Sequence, residues 1–220
     1  MSGDAPARAL PPWWAVLLVA LAIAALAFAI GRFSTFGAGE VTPGTNSPEA
    51  GFARDMQVHH AQAVDMAMTI HRATADEDIR MLAYDMATAQ AAQRGEFYDW
   101  LVKWNLPQRG GPLMAWMAEA STGHAHGAAP TASEEELLSA MGMASAEDLT
   151  ALDAATGTAA DCLFLELMVR HHLGALPMAA ALLELGSEPR ALQVAQAVVD
   201  TQSAEIDRMQ SLQQRLACTP

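Results

Sequence analysis

A long internal repeat constrains this chain more than any other feature of its sequence. Residues 52–67 read FARDMQVHHAQAVDMA and residues 164–179 read FLELMVRHHLGALPMA, which align without a gap at an offset of 112 residues. The two stretches share Phe, Met, His, His, Ala, Met and Ala. A second match follows at an offset of 109, where Gln-x-x-Glu and an apolar residue occupy 93–97 and 202–206. Each copy spans two helices, so we predict two helical hairpins that form a four-helix bundle.

Helix periodicity and breaker residues set the expected boundaries of these hairpins. We expect four long helices, at about 48–74, 76–105, 160–186 and 188–217. The duplicated domain is then 48–220, with hairpins 48–105 and 160–217 separated by a Gly- and Pro-marked linker, 106–159. Ala and Leu dominate the chain and β-branched residues are sparse, which is typical of helices. The predicted fold class is therefore all-α.

An uncharged apolar run precedes the repeat. Residues 13–30 read WWAVLLVALAIAALAFAI, and at about 1.5 Å per residue they nearly match a hydrocarbon core of roughly 30 Å. We predict a transmembrane signal-anchor that tethers the chain to the cell membrane as a single-pass protein. Residues 1–12 would form a cytoplasmic tail and residues 31–47 a flexible tether, with the repeat domain on the extracytoplasmic side. The alternative is a secreted protein whose signal peptide is cleaved.

The charge balance and the missing motifs exclude several functions. The formal net charge of -13 argues against nucleic acid as a partner, because an acidic surface repels phosphate. The sequence contains no Glu-x-x-His pair of a di-iron bundle, no G-x-S-x-G, no Walker loop, no dinucleotide fingerprint and no Cys-x-x-Cys. Nothing in the sequence specifies a catalytic reaction or a protein partner, so we predict no enzyme activity.

The repeated Met and His residues share one face of each first helix. At about 100° per residue, they fall within one broad apolar arc in both copies. The candidate metal ligands on these faces are Met56, His59, His60, Met66, Met168, His171, His172 and Met178. If the helices pack with their midpoints level, the two clusters meet near the centre of the bundle, where small Ala residues leave room.

Buried imidazoles require hydrogen-bond partners or a metal ion. Glu96 and Glu205 recur in the neighbouring helices and are the predicted partners, because a carboxylate that accepts from one ring nitrogen leaves the other free to bind a metal. Thioether and imidazole ligands without thiolates suit copper better than Mg²⁺ or Ca²⁺. The alternative is a structural or protein-interaction module whose buried His–Glu networks bind no metal.

Weaker metal candidates lie outside the repeat pattern. His71 has no His counterpart in the second copy and is either an accessory ligand or an exposed residue at a helix end. The linker carries Met114 and Met117, and also His124 and His126, which either chelate a surface metal or belong to a plain polar loop.

The chain has two cysteines, Cys162 near the start of the third helix and Cys218 near the end of the fourth. Those ends are adjacent in an antiparallel hairpin, so the positions permit a disulfide if the domain is exported. It would stabilise the fold by roughly 2–4 kcal/mol. Two free thiols are the alternative.

With these motifs in place, the chain resembles the DUF305 family of bacterial secreted and membrane-anchored proteins. The segments that carry the resemblance are DMQVHHAQAVDMA, QRGEFYDWL, DCLFLELMVRHHLGALPMAA and TQSAEIDRMQ, within residues 48–217. The resemblance implies a ferritin-like fold, although the carboxylate pattern of iron sites is missing. Because CopM-like members are periplasmic copper-binding proteins, it also implies copper binding through the repeated Met and His residues.

Overall fold

The computed structural model describes residues 12–37, 42–118 and 132–218, except the side chains of 31–37. Within these ranges the chain forms seven α-helices and one short 3-10 turn, without a β-strand, so the all-α prediction is confirmed. The helices are α1 (Trp13–Gly37), α2 (Pro48–Ala73), α3 (Glu77–Lys103), α4 (Glu134–Ala140), α5 (Ala146–Ala154), α6 (Gly157–Leu185) and α7 (Pro189–Arg215). The chain divides into two compact units, 1–42 and 43–220.

Helix α1 makes up most of the described part of the first unit. Its stretch Trp13–Ile30 has a mean hydropathy of 2.6, is not buried, and is long and apolar enough to cross a membrane. Such a helix fits a signal-anchor and a signal peptide alike.

The predicted tether, 31–47, is only partly irregular. Residues 31–37 continue α1 as helix, which corrects that part of the prediction. Near its other end, Arg54 of α2 donates to the carbonyl oxygen and the hydroxyl of Thr45, at 2.7 and 3.1 Å. Because these bonds fasten the chain just before α2, Thr45 belongs to the folded domain. Residues 38–41 and most of the predicted cytoplasmic tail lie outside the described residues.

Local sequence signals set the helix ends of the bundle. The Ser47 hydroxyl accepts from the backbone N–H of Ala50, and Pro48 occupies the first turn of α2, where its missing N–H is not needed. Asp76 and Glu188 cap α3 and α7 with their carboxylates. These two caps are 112 residues apart, so both hairpin turns occupy equivalent positions in the repeat.

The 112-residue offset extends through the second helix of each hairpin. Six buried residues of α3 have a buried counterpart in α7 that lies 112 residues later. The α3 residues are Ile79, Ala83, Met86, Gln90, Phe97 and Trp100, and their α7 counterparts, in the same order, are Ala191, Ala195, Val198, Gln202, Met209 and Leu212. The offset of 109 predicted from the Gln-x-x-Glu pattern is therefore wrong for the second helices. Their buried faces match at an offset of 112, so the residues of the Gln-x-x-Glu match do not occupy equivalent positions. In the correct register Gln93 is the counterpart of Glu205.

The two hairpins pack on each other mainly through their first helices, α2 and α6. The outer helices α3 and α7 each pack on their own partner and are joined by ion pairs. These pairs are Arg190–Glu96 at 2.6 Å, Arg208–Asp78 at 3.4 Å and Arg215–Asp76 at 2.8 Å. A disulfide between Cys162 and Cys218 joins the start of α6 to the chain just after α7.

The described part of the linker is fastened to the bundle. Asp55 of α2 accepts from the backbone N–H of Met114 and from Nε1 of Trp116, both at 2.8 Å. The Trp116 side chain lies so close to Gly51 that a Cβ there would clash with the ring. Met114 and Trp116 of the linker therefore pack beside α2.

Candidate metal site

Four imidazoles lie together where α2 packs against α6. His59, His60, His171 and His172 are completely buried. The rings of His59 and His171 stack with their centroids 3.6 Å apart, and each lies 6.1–6.3 Å from the ring of its sequence neighbour. The structure thus brings both repeated His pairs into one buried layer, which we call the His layer.

The two outer rings of the His layer, those of His60 and His172, form hydrogen bonds with the second helix of their own hairpin. His60 Nε2 donates to Oε1 of Gln93 at 2.8 Å, and His172 Nε2 donates to Oε2 of Glu205 at 2.7 Å. Each partner lies 33 residues after its histidine, which places the two bonds at equivalent positions.

The predicted contact between Glu96 and the His layer is absent. Glu96 instead accepts from Arg190 of α7, and Gln93 holds His60. The prediction was wrong because Glu96 lies about one helical turn beyond Gln93, on the flank of α3 that faces α7. Gln93 was present in the repeated pattern, and applying the offset of 112 to α3 identifies it.

The inner two rings donate to backbone oxygens. His59 Nε2 lies 3.1 Å from the carbonyl oxygen of Met141 in the linker, and His171 Nε2 lies 3.1 Å from the carbonyl oxygen of His59. Two glycines permit the first contact. Gly142 adopts a φ of +73°, and Gly174 lacks the Cβ that would clash with the Met141 carbonyl.

The Nδ1 atom of each ring is the unpaired one. All four Nε2 atoms face acceptors, so Nε2 carries the proton and Nδ1 carries a lone pair. None of the four buried Nδ1 atoms has a hydrogen-bond partner among the residues that the structure describes. At about 1–3 kcal/mol for each unpaired atom, the total of about 4–12 kcal/mol rivals the 5–15 kcal/mol stability of a typical domain. A metal ion bound to any of these lone pairs would relieve part of that cost.

Burial keeps the rings of His59, His60 and His171 neutral. Loss of hydration, reinforced by the neighbouring His60, lowers the pKa of His59 to about 3. Burial also lowers the pKa of His60 to about 4, although its bond to Gln93 acts in the opposite direction. The pKa of His171 lies well below its usual value, first because of burial and then because of the nearby His59. Neutral imidazole is the form that binds metal ions.

The predicted Met ligands flank the His layer in two groups. Met56 and Met178 belong to one cluster of the apolar core, and Met66 and Met168 belong to the other. All four are at most 1% exposed. Each cluster therefore receives one thioether from α2 and one from α6.

The donor set limits which metal would fit. Among the described residues, no group of three or more His, Cys, Asp or Glu side chains could by itself hold a metal ion. A site in this interior would have to combine imidazole with thioether. That combination fits copper, which accepts both ligands, and does not fit the oxygen-seeking Mg²⁺ or Ca²⁺.

Three of the weaker candidates, His71, Met114 and Met117, lie outside the His layer. His71 Nδ1 lies 3.1 Å from the carbonyl oxygen of Arg80, at the end of α2. Met114 directly precedes the 3-10 turn and Met117 is its last residue, and both are buried core residues. His124 and His126 lie outside the described residues.

Two further polar residues of the interior were not predicted. Gln90 and Gln202 are 3% and 2% exposed, and neither amide has a hydrogen-bond partner within residues 12–37, 42–118 and 132–218. They precede Gln93 and Glu205 by three residues, about one helical turn from the His layer. The extended offset pairs them as well, which is the signal that could have found them.

Solved structures of similar proteins share the fold of this chain. A DUF305 protein from Streptomyces coelicolor is 34% identical with a TM-score of 0.69, and the match covers 79% of this chain and 96% of that one. A DUF305 fragment from Deinococcus radiodurans is 28% identical with a TM-score of 0.62, and the match covers 76% of this chain and 96% of that one. Cu(I)-bound CopM shares the fold at 23% identity and a TM-score of 0.55, over 77% and 96% of the two chains.

No curated protein matches this chain significantly. The family model DUF305, a domain of unknown function, matches residues 49–213, which include both hairpins and the linker. This chain therefore belongs to the DUF305 family.

Proposed function

We propose that this chain is a non-catalytic copper-binding or copper-buffering protein that holds its metal in the His layer. The observation that carries the proposal is the set of four buried Nδ1 lone pairs that have no partner in the described part of the chain and are flanked on both sides by Met thioethers. The candidate ligands are the four histidines together with Met56, Met66, Met168 and Met178.

The surroundings of the His layer suit a soft metal ion. The Nε2 hydrogen bonds orient the rings and leave Nδ1 as the donor atom. Protons compete weakly for these atoms, because burial lowers the pKa of His59 and His60 to about 3 and 4. The apolar core excludes water, which favours thioether ligands over oxygen ligands.

Related proteins and the N-terminal helix support the metal and the location. CopM has been solved in Cu(I)-bound and Cu(II)-bound forms. The Streptomyces relative is described as a candidate secreted protein. Helix α1 is long and apolar enough to cross a membrane. We therefore propose that α1 tethers the copper-binding domain to the extracytoplasmic side of the cell membrane.

The test compares full-length wild type, purified in detergent, with a variant in which the four predicted Met ligands are changed to Leu. Met-to-Leu changes nearly conserve volume, so the variant should fold, as far-UV circular dichroism can verify. We expect wild type to bind Cu(I) stoichiometrically in competition with a chelator, and the variant to bind at least about tenfold more weakly. The matched control His71→Ala should bind as wild type does.

Two outcomes contradict the proposal. Wild type that binds no copper above background favours the structural module whose buried histidines only set packing. Unchanged Cu(I) affinity in the four-Met variant removes the thioethers from the site.

A further inference from the structure

The two outer histidines of the His layer have the same geometry and differ in the charge behind them. His60 is held by the neutral amide of Gln93 and His172 by the carboxylate of Glu205, at 2.8 and 2.7 Å. Both partners are half-buried and occupy equivalent repeat positions. The difference is therefore chemical rather than geometric.

Glu205 is the one acidic side chain among the four hydrogen-bond partners of the His-layer rings. The inner rings donate to neutral backbone oxygens, and His60 donates to a neutral amide. The nearby Glu96 is already compensated by Arg190, with Nε–Oε1 and Nη2–Oε2 distances of 2.6 and 3.0 Å. Of the two outer rings, His172 therefore has a carboxylate as its hydrogen-bond partner, whereas His60 has a neutral amide.

A carboxylate that accepts from a metal-binding imidazole makes the ring a stronger donor and attracts the cation directly. Removing such a partner typically lowers metal affinity by about 10–100-fold. The Coulomb part of the effect scales with the charge of the ion, so a divalent ion gains more than a monovalent one.

We infer that Glu205 makes the His172 half of the His layer the preferred position for a divalent metal ion, whereas Gln93 leaves the His60 half relatively selective for monovalent copper. This inference rests on the proposed copper-binding function. Glu205 and Gln93 act here as positioning and specificity-determining residues, because each acts through its histidine.

The chain provides its own matched substitutions. Glu205→Gln places at the second half the residue that the first half already has, and Gln93→Glu does the reverse. Both changes keep an oxygen acceptor for Nε2, so the ring orientation should persist. Glu96→Gln is the control, because it removes a charge from α3 whose partner is Arg190 rather than a histidine.

The experiment titrates the full chain and these three variants with Cu(II), and separately with Cu(I) without oxygen, against competing chelators. We expect Glu205→Gln to lower Cu(II) affinity by about 10–100-fold and Cu(I) affinity by only about 3–10-fold. Gln93→Glu should raise Cu(II) affinity by a comparable factor, with a changed Cu(II) electron paramagnetic resonance spectrum. Glu96→Gln should leave both affinities within about twofold of wild type.

The inference is overturned if wild type binds copper but Glu205→Gln affects binding no more than Glu96→Gln does. Equal losses for Cu(I) and Cu(II) would also overturn it, because the charge of the ion would then play no part. If wild type binds neither ion, the proposed function fails first, so the two failures are distinguishable.

Discussion

Substituting Gly174 tests how the linker contributes to the His layer. A Cβ on this residue would clash with the carbonyl of Met141 and would lie 2.7 Å from the backbone nitrogen of Gly142. These are backbone atoms, which cannot move aside as the tip of a flexible side chain can. The same carbonyl accepts the Nε2 proton of His59. Gly174→Ala must therefore push the linker away from α6 and weaken that hydrogen bond.

Three contributions decide whether Gly174→Ala raises or lowers the free energy of unfolding. Overpacking a core contact costs about 1–3 kcal/mol. Leaving the buried Nε2–H of His59 without its acceptor costs about 1–3 kcal/mol more. Replacing Gly by Ala inside a helix returns about 0.5–1 kcal/mol. We expect a net loss of about 1–5 kcal/mol in the free energy of unfolding, or at least about 2 °C in Tm for a domain of this size.

Gly95 in α3 provides the matched control. It is exposed, and a Cβ added there would meet no other atom within 4 Å. Gly95→Ala should therefore stabilise the protein by about 0.5–1 kcal/mol. Urea unfolding of both variants, followed by far-UV circular dichroism, measures the difference. A Gly174→Ala variant as stable as Gly95→Ala would refute the account of the linker contact.

Other predictions concern the disulfide, the buried histidines and the junction between the hairpins. Breaking the Cys162–Cys218 bond, which spans 56 residues, should cost about 4 kcal/mol; equal thermal unfolding of the oxidised and reduced forms would contradict this. Because the folded-state pKa values of His59 and His60, about 3 and 4, lie below the unfolded value of about 6.5, only the unfolded chain takes up these protons at mildly acidic pH. In chelator-treated protein, His59 and His60 should together lower the free energy of unfolding by about 4 kcal/mol between pH 7.5 and pH 5, and the lowered pKa of His171 should add to that loss. The raised pKa of Asp55, about 6, should return about 1 kcal/mol, and a flat pH profile in urea titrations would count against burial of the neutral rings. Glu49→Ala should lower the free energy of unfolding by about 2–4 kcal/mol in the same titrations. The Glu49 carboxylate accepts from the backbone N–H groups of Ser187 and Glu188 and so joins the start of α2 to the turn after α6. A variant as stable as wild type would show that these bonds are dispensable.

The fold was predictable from the sequence because the repeat, the helix periodicity and the capping residues all indicate the same architecture. Ser47 and Pro48 mark the start of α2, and Pro189 marks the start of α7, as first-turn prolines usually do. The apolar faces of the repeat also place the two His pairs in the interior. These signals can be read from short stretches of sequence, because the regular geometry of a helix determines which residues share a face and which residues fit its ends.

The partners of the histidines were only half predictable. Glu205 contacts His172 as expected, but the hydrogen-bond partner of His60 is Gln93. The register of α3 depends on which residues are buried, and a match of two identical residues and one apolar residue does not detect that. The Met141 carbonyl behind His59 was out of reach for a different reason. A backbone oxygen carries no sequence signature, and its position depends on how the linker passes Gly174.

X-ray absorption of the copper-loaded full chain identifies the atoms bound to the metal. If the His layer and its flanking methionines hold copper, the spectrum should show a stoichiometric Cu(I) centre with imidazole nitrogen and thioether sulfur bound directly to the metal. The sulfur contribution should disappear when Met56, Met66, Met168 and Met178 are changed to Leu. A first shell of oxygen atoms alone, or a spectrum that the four substitutions leave unchanged, would contradict the claim that the His layer and its flanking methionines hold copper.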